Sequence, residues 1–190
     1  TRSAAKYTVP NDDGKWIPTP PGYFQAVEPQ WKTIRTIALD SSNQFMPPPP
    51  CIYSNRSGSE FYNMAKQVFD TVSNLTEEQK AIASFWDCNG FKLNVVGHTM
   101  YATKAMTPGG HWMGITGIIA KDKQSDFGKT VYAYTAVSFA VMDAFIACWD
   151  AKYSFGLVRP ETVINKYMDP NWKPFLQTPP FPEHPSGHSA

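Results

Sequence analysis

Cysteine is scarce in this chain of 190 residues: Cys51, Cys88 and Cys148 stand far apart, with no Cys-x-x-Cys step. That spacing excludes a disulfide framework and a zinc ribbon, though it leaves room for one bridge. Charge of either sign is scarce as well. Seventeen Lys+Arg against sixteen Asp+Glu give a net charge of +1, with no basic field for nucleic acid and no acidic field for a cationic partner. Long hydrophobic runs are missing. The longest uncharged, apolar-leaning stretch, Thr130 to Met142, has thirteen residues, whereas a membrane span takes about twenty. It reads as a buried core helix, and no membrane span is expected. Strand-like alternation of comparable length is also absent.

What is present is enough for a core. Hydrophobic residues make up 42% and aromatics 14%, which excludes a disordered tail, a collagen-like chain and a coiled coil. A chain of this length buries roughly 70% of its unfolded surface when folded. Its prolines divide it: nine fall in residues 1–50, Pro108 alone interrupts 51–159, and seven lie in 160–185. Proline is excluded from helix interiors and central strands, so regular structure is expected in the middle. Ser57 with Glu60 reads as a capping box ahead of Phe61, Ala65, Val68 and Val72 at helical spacing. Thr76 with Gln79 starts a second helix, and Pro108 suits the start of a third. The longest runs from about Asp126 to Lys152, with a broad apolar face from Tyr132 to Cys148. The expected fold is all-α. Residues 1–55 read as an irregular Pro- and aromatic-rich arm packing on the helices, and 56–190 as a helical domain. Cys148, inside an apolar run, reads as a small buried hydrophobe.

Two constellations near the end of the chain could carry chemistry. Lys152 closes the long helix, where a cation complements the negative end of the macrodipole; Arg159-Pro160 follows after six residues. A break at Gly156 would bring the two cationic heads together. Pro185-Ser186-Gly187-His188 reads as a helix entry, whose amides favour an anion and whose glycine lets a ligand approach the backbone. The imidazole of His188 could serve as general acid or base on a group attached to that anion. Taken singly, each half also reads as a capping lysine with a surface arginine, or an ordinary Ser-Gly turn.

Taken in this order after a long apolar helix, the pair resembles the superfamily of vanadium-dependent haloperoxidases and type 2 phosphatidic-acid phosphatases. That family's pattern is lysine, six residues, Arg-Pro, then Pro-Ser-Gly-His, then Ser-Arg with a second histidine. Lys152, Arg159, Pro160 and Pro185 to His188 match the first two motifs without substitution. Trp16 to Tyr23, Val27 to Trp31, Phe85-Trp86-Asp87 and Thr107 to Trp112 are similar to the soluble bacterial haloperoxidase-like branch. The resemblance implies the amino-terminal part of a helical bundle of that type. It implies that Lys152, Arg159, Ser186 and the Gly187 amide bind the oxygens of vanadate or phosphate. His188 would be the acid-base group, and Lys152 would also polarise bound peroxide. Trp149 and His184 would line the pocket.

The third motif does not occur between Thr1 and Ala190. The resemblance therefore places the vanadium-bound histidine beyond Ala190, with no metal ligand in this stretch. Residues 1–190 alone are expected not to turn over, to expose apolar helix faces, and to need a second polypeptide segment or chain to complete the bundle. The implied reactions are peroxide-dependent halide oxidation with vanadate as cofactor, or hydrolysis of phosphate monoesters through a phosphohistidine with no cofactor; a non-catalytic relative is the third reading. The non-Met start and the resemblance point to a periplasmic or secreted protein. Of the remaining candidates, His111 reads as a structural group at a helix start and His98 as a loop residue. Asp143 and Asp150 read as buried partners of the arginines or as a solvated stripe.

Overall fold

The computed structural model describes residues 6–90, 92–103 and 106–188; Thr1 and Ala190 lie outside the described residues. Helix dominates. Helices α1 (Glu60–Ser73), α2 (Glu77–Phe85), α3 (Pro108–Asp122), α4 (Phe127–Phe155) and α5 (Pro160–Tyr167) follow a single 3-10 turn at Trp31–Thr33. Strands β1 (Lys92–Val96) and β2 (Thr99–Thr103) form an antiparallel hairpin between α2 and α3.

Local chemistry accounts for the helix ends. Thr76 and Gln79 make a reciprocal capping box at α2, satisfying two orphan amides at once. Thr107 caps α3, with Pro108 in its first turn, and the Asp126 side chain accepts from the Lys129 amide at the start of α4. α1 corrects the sequence reading: its cap is Ser59, which accepts from the Tyr62 amide, and not Ser57. Gly58 at φ 83 turns the chain between the two serines, so the helix begins after that turn. α4 ends at Gly156 with φ 63, a left-handed cap that a Cβ would strain. The break allows Arg159 to stand at the N-cap of α5, ahead of Pro160.

The sequence reading missed the hairpin, and also the short helix α5 and the 3-10 turn, which lie in the proline-rich flanks it took for irregular chain. Apolar Leu93, Val95, Val96, Met100 and Tyr101 fall on both faces, and most hairpin positions are exposed. A two-stranded ribbon without a buried face has no reason to alternate. His98 lies in its turn, next to Gly97 at φ 59.

The core lies around the C-terminal half of α4 and the α4–α5 junction. The arm, which has almost no regular structure of its own, is stitched beneath that junction. The Trp16 amide donates to the Gly156 carbonyl at 2.8 Å and the Val158 amide to the Gly14 carbonyl at 3.1 Å. The Trp16 side chain is fully buried. Phe61 and Ala65 of α1 pack against Val158 and against Val163 of α5. Toward its N-terminus α4 changes character: Phe127 and Tyr132 are 86% and 76% exposed, and Ile118 of α3 is 71% exposed. At 29 residues, with a most apolar 18-residue stretch of mean hydropathy 1.6, α4 is long and apolar enough by length and composition to cross a membrane, a test the core helix of a bundle also passes.

Candidate functional site

A cavity of about 1000 Å³ opens where the end of α4, the start of α5 and the 174–188 segment meet. Lys152, Arg159, Ser186, Gly187, His188 and Trp149 all line it, so six of the seven site residues expected from sequence converge there. His184 is the exception. It is not among the lining residues; its Nε2 lies 3.1 Å from the Pro48 carbonyl, and its ring packs edge-on against Phe155. The cis His184–Pro185 bond separates it from the motif that follows.

Lys152 is 1% exposed, and its ammonium donates to three backbone carbonyls of one segment: Pro182 at 3.0 Å, Glu183 at 3.1 Å and Pro185. An ammonium has three donors, so this arrangement commits all of them. Lys152 therefore clamps the strand of chain leading into Ser186-Gly187-His188, a use the sequence reading did not foresee. Burial, and then repulsion from Arg159, lowers its pKa to about 8. Arg159, 8% exposed, donates through Nε to the Phe181 carbonyl at 2.7 Å and pairs through Nη1 with Glu183 at 2.6 Å. Its Nη2 is buried and has no partner among the described residues. Both cations also face one ring: Lys152 Nζ is 5.0 Å and Arg159 Cζ 4.8 Å from the centroid of Phe181, contacts that favour a cation held out of water. Phe181 is backed by Trp149 at 4.9 Å. Trp149 in turn donates to the Val27 carbonyl and stacks on Trp31 at 5.0 Å, so the arm fixes the cavity's aromatic wall.

On the other side, His188 Nε2 lies 3.1 Å from the Trp86 carbonyl, which ties the motif to the end of α2. His111 stays out of the lining; its Nδ1 is 3.6 Å from Cys88 Sγ, and its ring lies against Phe85 and Trp86. The two aspartates of α4 do not pair with arginines. Asp143 accepts from the Ile37, Ala38 and Leu39 amides at 2.8, 2.6 and 3.0 Å. Burial raises its carboxyl pKa, but the donated N–H groups outweigh burial and hold it below the ordinary range. Asp150 accepts from Ser42 at 2.7 Å and Ser154 at 3.2 Å. Both serve to dock the arm.

Sequence reasoning also missed two carboxylates in the lining. Glu183, between the two motifs, is the ion-pair partner of Arg159. Glu161, directly after Arg159-Pro160, is 5% exposed, with Oε2 unpartnered; burial raises its pKa against opposing contributions from Thr178 and Arg159. Nothing in its local sequence marks Glu161 as buried; only the tertiary packing of the first turn of α5 does.

Among the described residues, no group of three His, Cys, Asp or Glu side chains could hold a metal ion. An oxyanion is a different demand. Arg159, whose Nη2 has no partner among the described residues, lines the same cavity as Ser186, Gly187 and His188, residue types whose N–H and O–H groups suit a tetrahedral or trigonal oxyanion. Lys152 adds positive charge there, with its hydrogen bonds spent on the loop.

Comparison with known proteins bears on the family and the fold. A family described as the VCPO second helical-bundle domain matches residues 132–190. A bacterial vanadium-dependent iodoperoxidase of known structure is 50% identical, with a TM-score of 0.89 over 99% of this chain and 44% of that one. The apo form of a bacterial vanadium-dependent chloroperoxidase, 20% identical, superposes with a TM-score of 0.62 over 93% of this chain and 43% of that one, a likeness of fold. This chain thus spans less than half the length of either. A search of curated proteins returns no match.

Proposed function

The chain belongs to the vanadium haloperoxidase-like family, and from that premise we propose that it carries the oxyanion-binding half of a haloperoxidase site. Vanadate would be held by Arg159, Ser186 and the Gly187 amide, beneath the positive charge of Lys152. The observation that carries the reading is the buried Nη2 of Arg159, without a partner among the described residues, on a residue lining the same cavity as Ser186, Gly187 and His188. Bound vanadate would supply the centre at which peroxide is activated toward a halide. The chain's own residues do the rest. Arg159 is oriented by Phe181 and Glu183 so that its remaining edge is open. Lys152 holds the Pro182-to-Pro185 segment in the shape that presents Ser186 and Gly187. His188 stands where it could take or return a proton. Trp149, Phe181 and Trp31 keep one wall apolar, which strengthens every electrostatic contact made there.

A further polypeptide segment or a second chain would supply the histidine the family uses to hold vanadium and cover the open faces of α3 and α4. The substrates are then small: an oxyanion, peroxide and a halide. The test is isothermal titration of residues 1–190 with orthovanadate, alongside iodide and bromide oxidation assays on the same protein. Vanadate binding that is lost in Arg159→Ala, with no halide oxidation until the completing segment is present, supports the proposal. Binding unaffected by Arg159→Ala contradicts it. Hydrolysis of p-nitrophenyl phosphate by the completed protein without halide oxidation would move it to the phosphatase branch.

A further inference from the structure

Two buried polar atoms in the cavity lining are left open together. Arg159 Nη2 is a donor and Glu161 Oε2 an acceptor, neither has a partner among the described residues, and both residues line the cavity. The two residues are 8% and 5% exposed and stand two positions apart, at the N-cap and in the first turn of α5. Buried polar groups are nearly always paired, because an unmade bond leaves desolvation uncompensated. The two residues do not satisfy each other. The guanidinium's ion pair goes to Glu183, and the Glu161 carboxyl bonds to Thr178. A ligand that answers both atoms must offer an acceptor to Arg159 and a donor to Glu161.

Tetrahedral oxyanions divide on that requirement. Near neutral pH, phosphate and vanadate carry bare oxygens and at least one hydroxyl, whereas sulfate carries bare oxygens only. A carboxylate can only accept. A hydroxyl on the ligand could donate to Glu161 while a bare oxygen accepts from Arg159; sulfate would set a bare oxygen against a buried carboxylate. We propose that Glu161 is a specificity residue that admits hydroxyl-bearing oxyanions to this cavity and rejects fully deprotonated ones. The inference rests on the oxyanion reading above and narrows its ligand class. A site built around a ligand hydroxyl discriminates strongly, because the analogue without it leaves a buried acceptor unpaired.

The experiment is competition against bound orthovanadate near neutral pH at constant ionic strength, using the full-length protein. Inorganic phosphate is expected to displace vanadate, with sulfate requiring on the order of a hundredfold higher concentration. Arsenate should behave like phosphate and selenate like sulfate, a comparison that needs no variant. In Glu161→Gln, whose amide can also donate, the phosphate-to-sulfate ratio should shrink at least about tenfold while vanadate still binds. Equal competition by arsenate and selenate, or an unchanged ratio in Glu161→Gln with vanadate bound, would overturn the role of Glu161 and leave the oxyanion reading standing. Failure of both vanadate and phosphate to bind the wild-type protein would overturn both.

Discussion

The two halves of α4 share one helix and one apolar composition, yet they live in different surroundings. Every buried residue of α4 lies from Asp143 onward: Asp143, Ile146, Cys148, Trp149, Asp150, Ala151 and Lys152. From Phe127 to Met142 none is buried, and Phe127, Val131, Tyr132, Phe139 and Met142 are exposed. The buried half is the one with three Asp and Lys side chains, each hydrogen-bonded by chain from elsewhere: the arm for Asp143 and Asp150, the Pro182-to-Pro185 segment for Lys152. Burial of charge is tolerated where it is fully hydrogen-bonded, and here those bonds hold two irregular segments around the cavity. The exposed half offers mostly apolar surface beyond Lys129, and that surface needs no particular partner but gains stability from any good fit. In this chain polarity organises the site, and apolar surface awaits cover.

That contrast can be broken most severely at Lys152. Lys152→Met leaves the carbonyls of Pro182, Glu183 and Pro185 without their shared donor, which should cost on the order of 4 kcal/mol in denaturant melts and loosen the motif. The pH dependence of that loss has a fixed sign. Lys152 gives up its proton near 8 in the folded protein and near 10.4 when unfolded, so between those values the unfolded state binds more protons. Wild-type stability relative to Lys152→Met should therefore rise through that window, by up to about 1.4 kcal/mol per pH unit. A flat difference would remove the buried-ammonium account. Asp143→Ala should come next, at about 2 kcal/mol, with faster proteolysis of the arm near residues 37–39. Because its carboxyl is held below the ordinary range, the stabilisation it provides is present above the unfolded value near 4 and is lost as pH falls through the folded one. Tyr132→Ser, in the open half, should change the stability of residues 1–190 by no more than about 0.5 kcal/mol. A larger loss would mean that this face is already covered.

Much of this was legible in the sequence because the signals are local. Caps, proline placement and apolar spacing located α1 to α4, and the two motifs with Trp149 supplied six residues that line one cavity. What escaped was decided by tertiary contact. The Ser59 cap depended on a turn at Gly58, and the exposed hairpin had no buried face to impose a period. Asp143 found backbone amides of the arm more than a hundred residues away. Glu183 and Glu161 fall beside the motif residues, but only burial and the accounting of Arg159's donors set them apart. The family resemblance implied that Lys152 is an oxyanion ligand; the fold directs its three donors into the loop.

The central claim is that the cavity at the α4–α5 junction takes an oxyanion on Arg159 and the Ser186-Gly187 segment. A crystal structure of the protein grown with orthovanadate tests it most directly. The account predicts vanadium density in this cavity, with oxygens within hydrogen-bonding distance of Arg159 Nη2, the Ser186 hydroxyl and the Gly187 amide. Vanadate bound elsewhere, with Arg159 Nη2 still unpartnered, would contradict it.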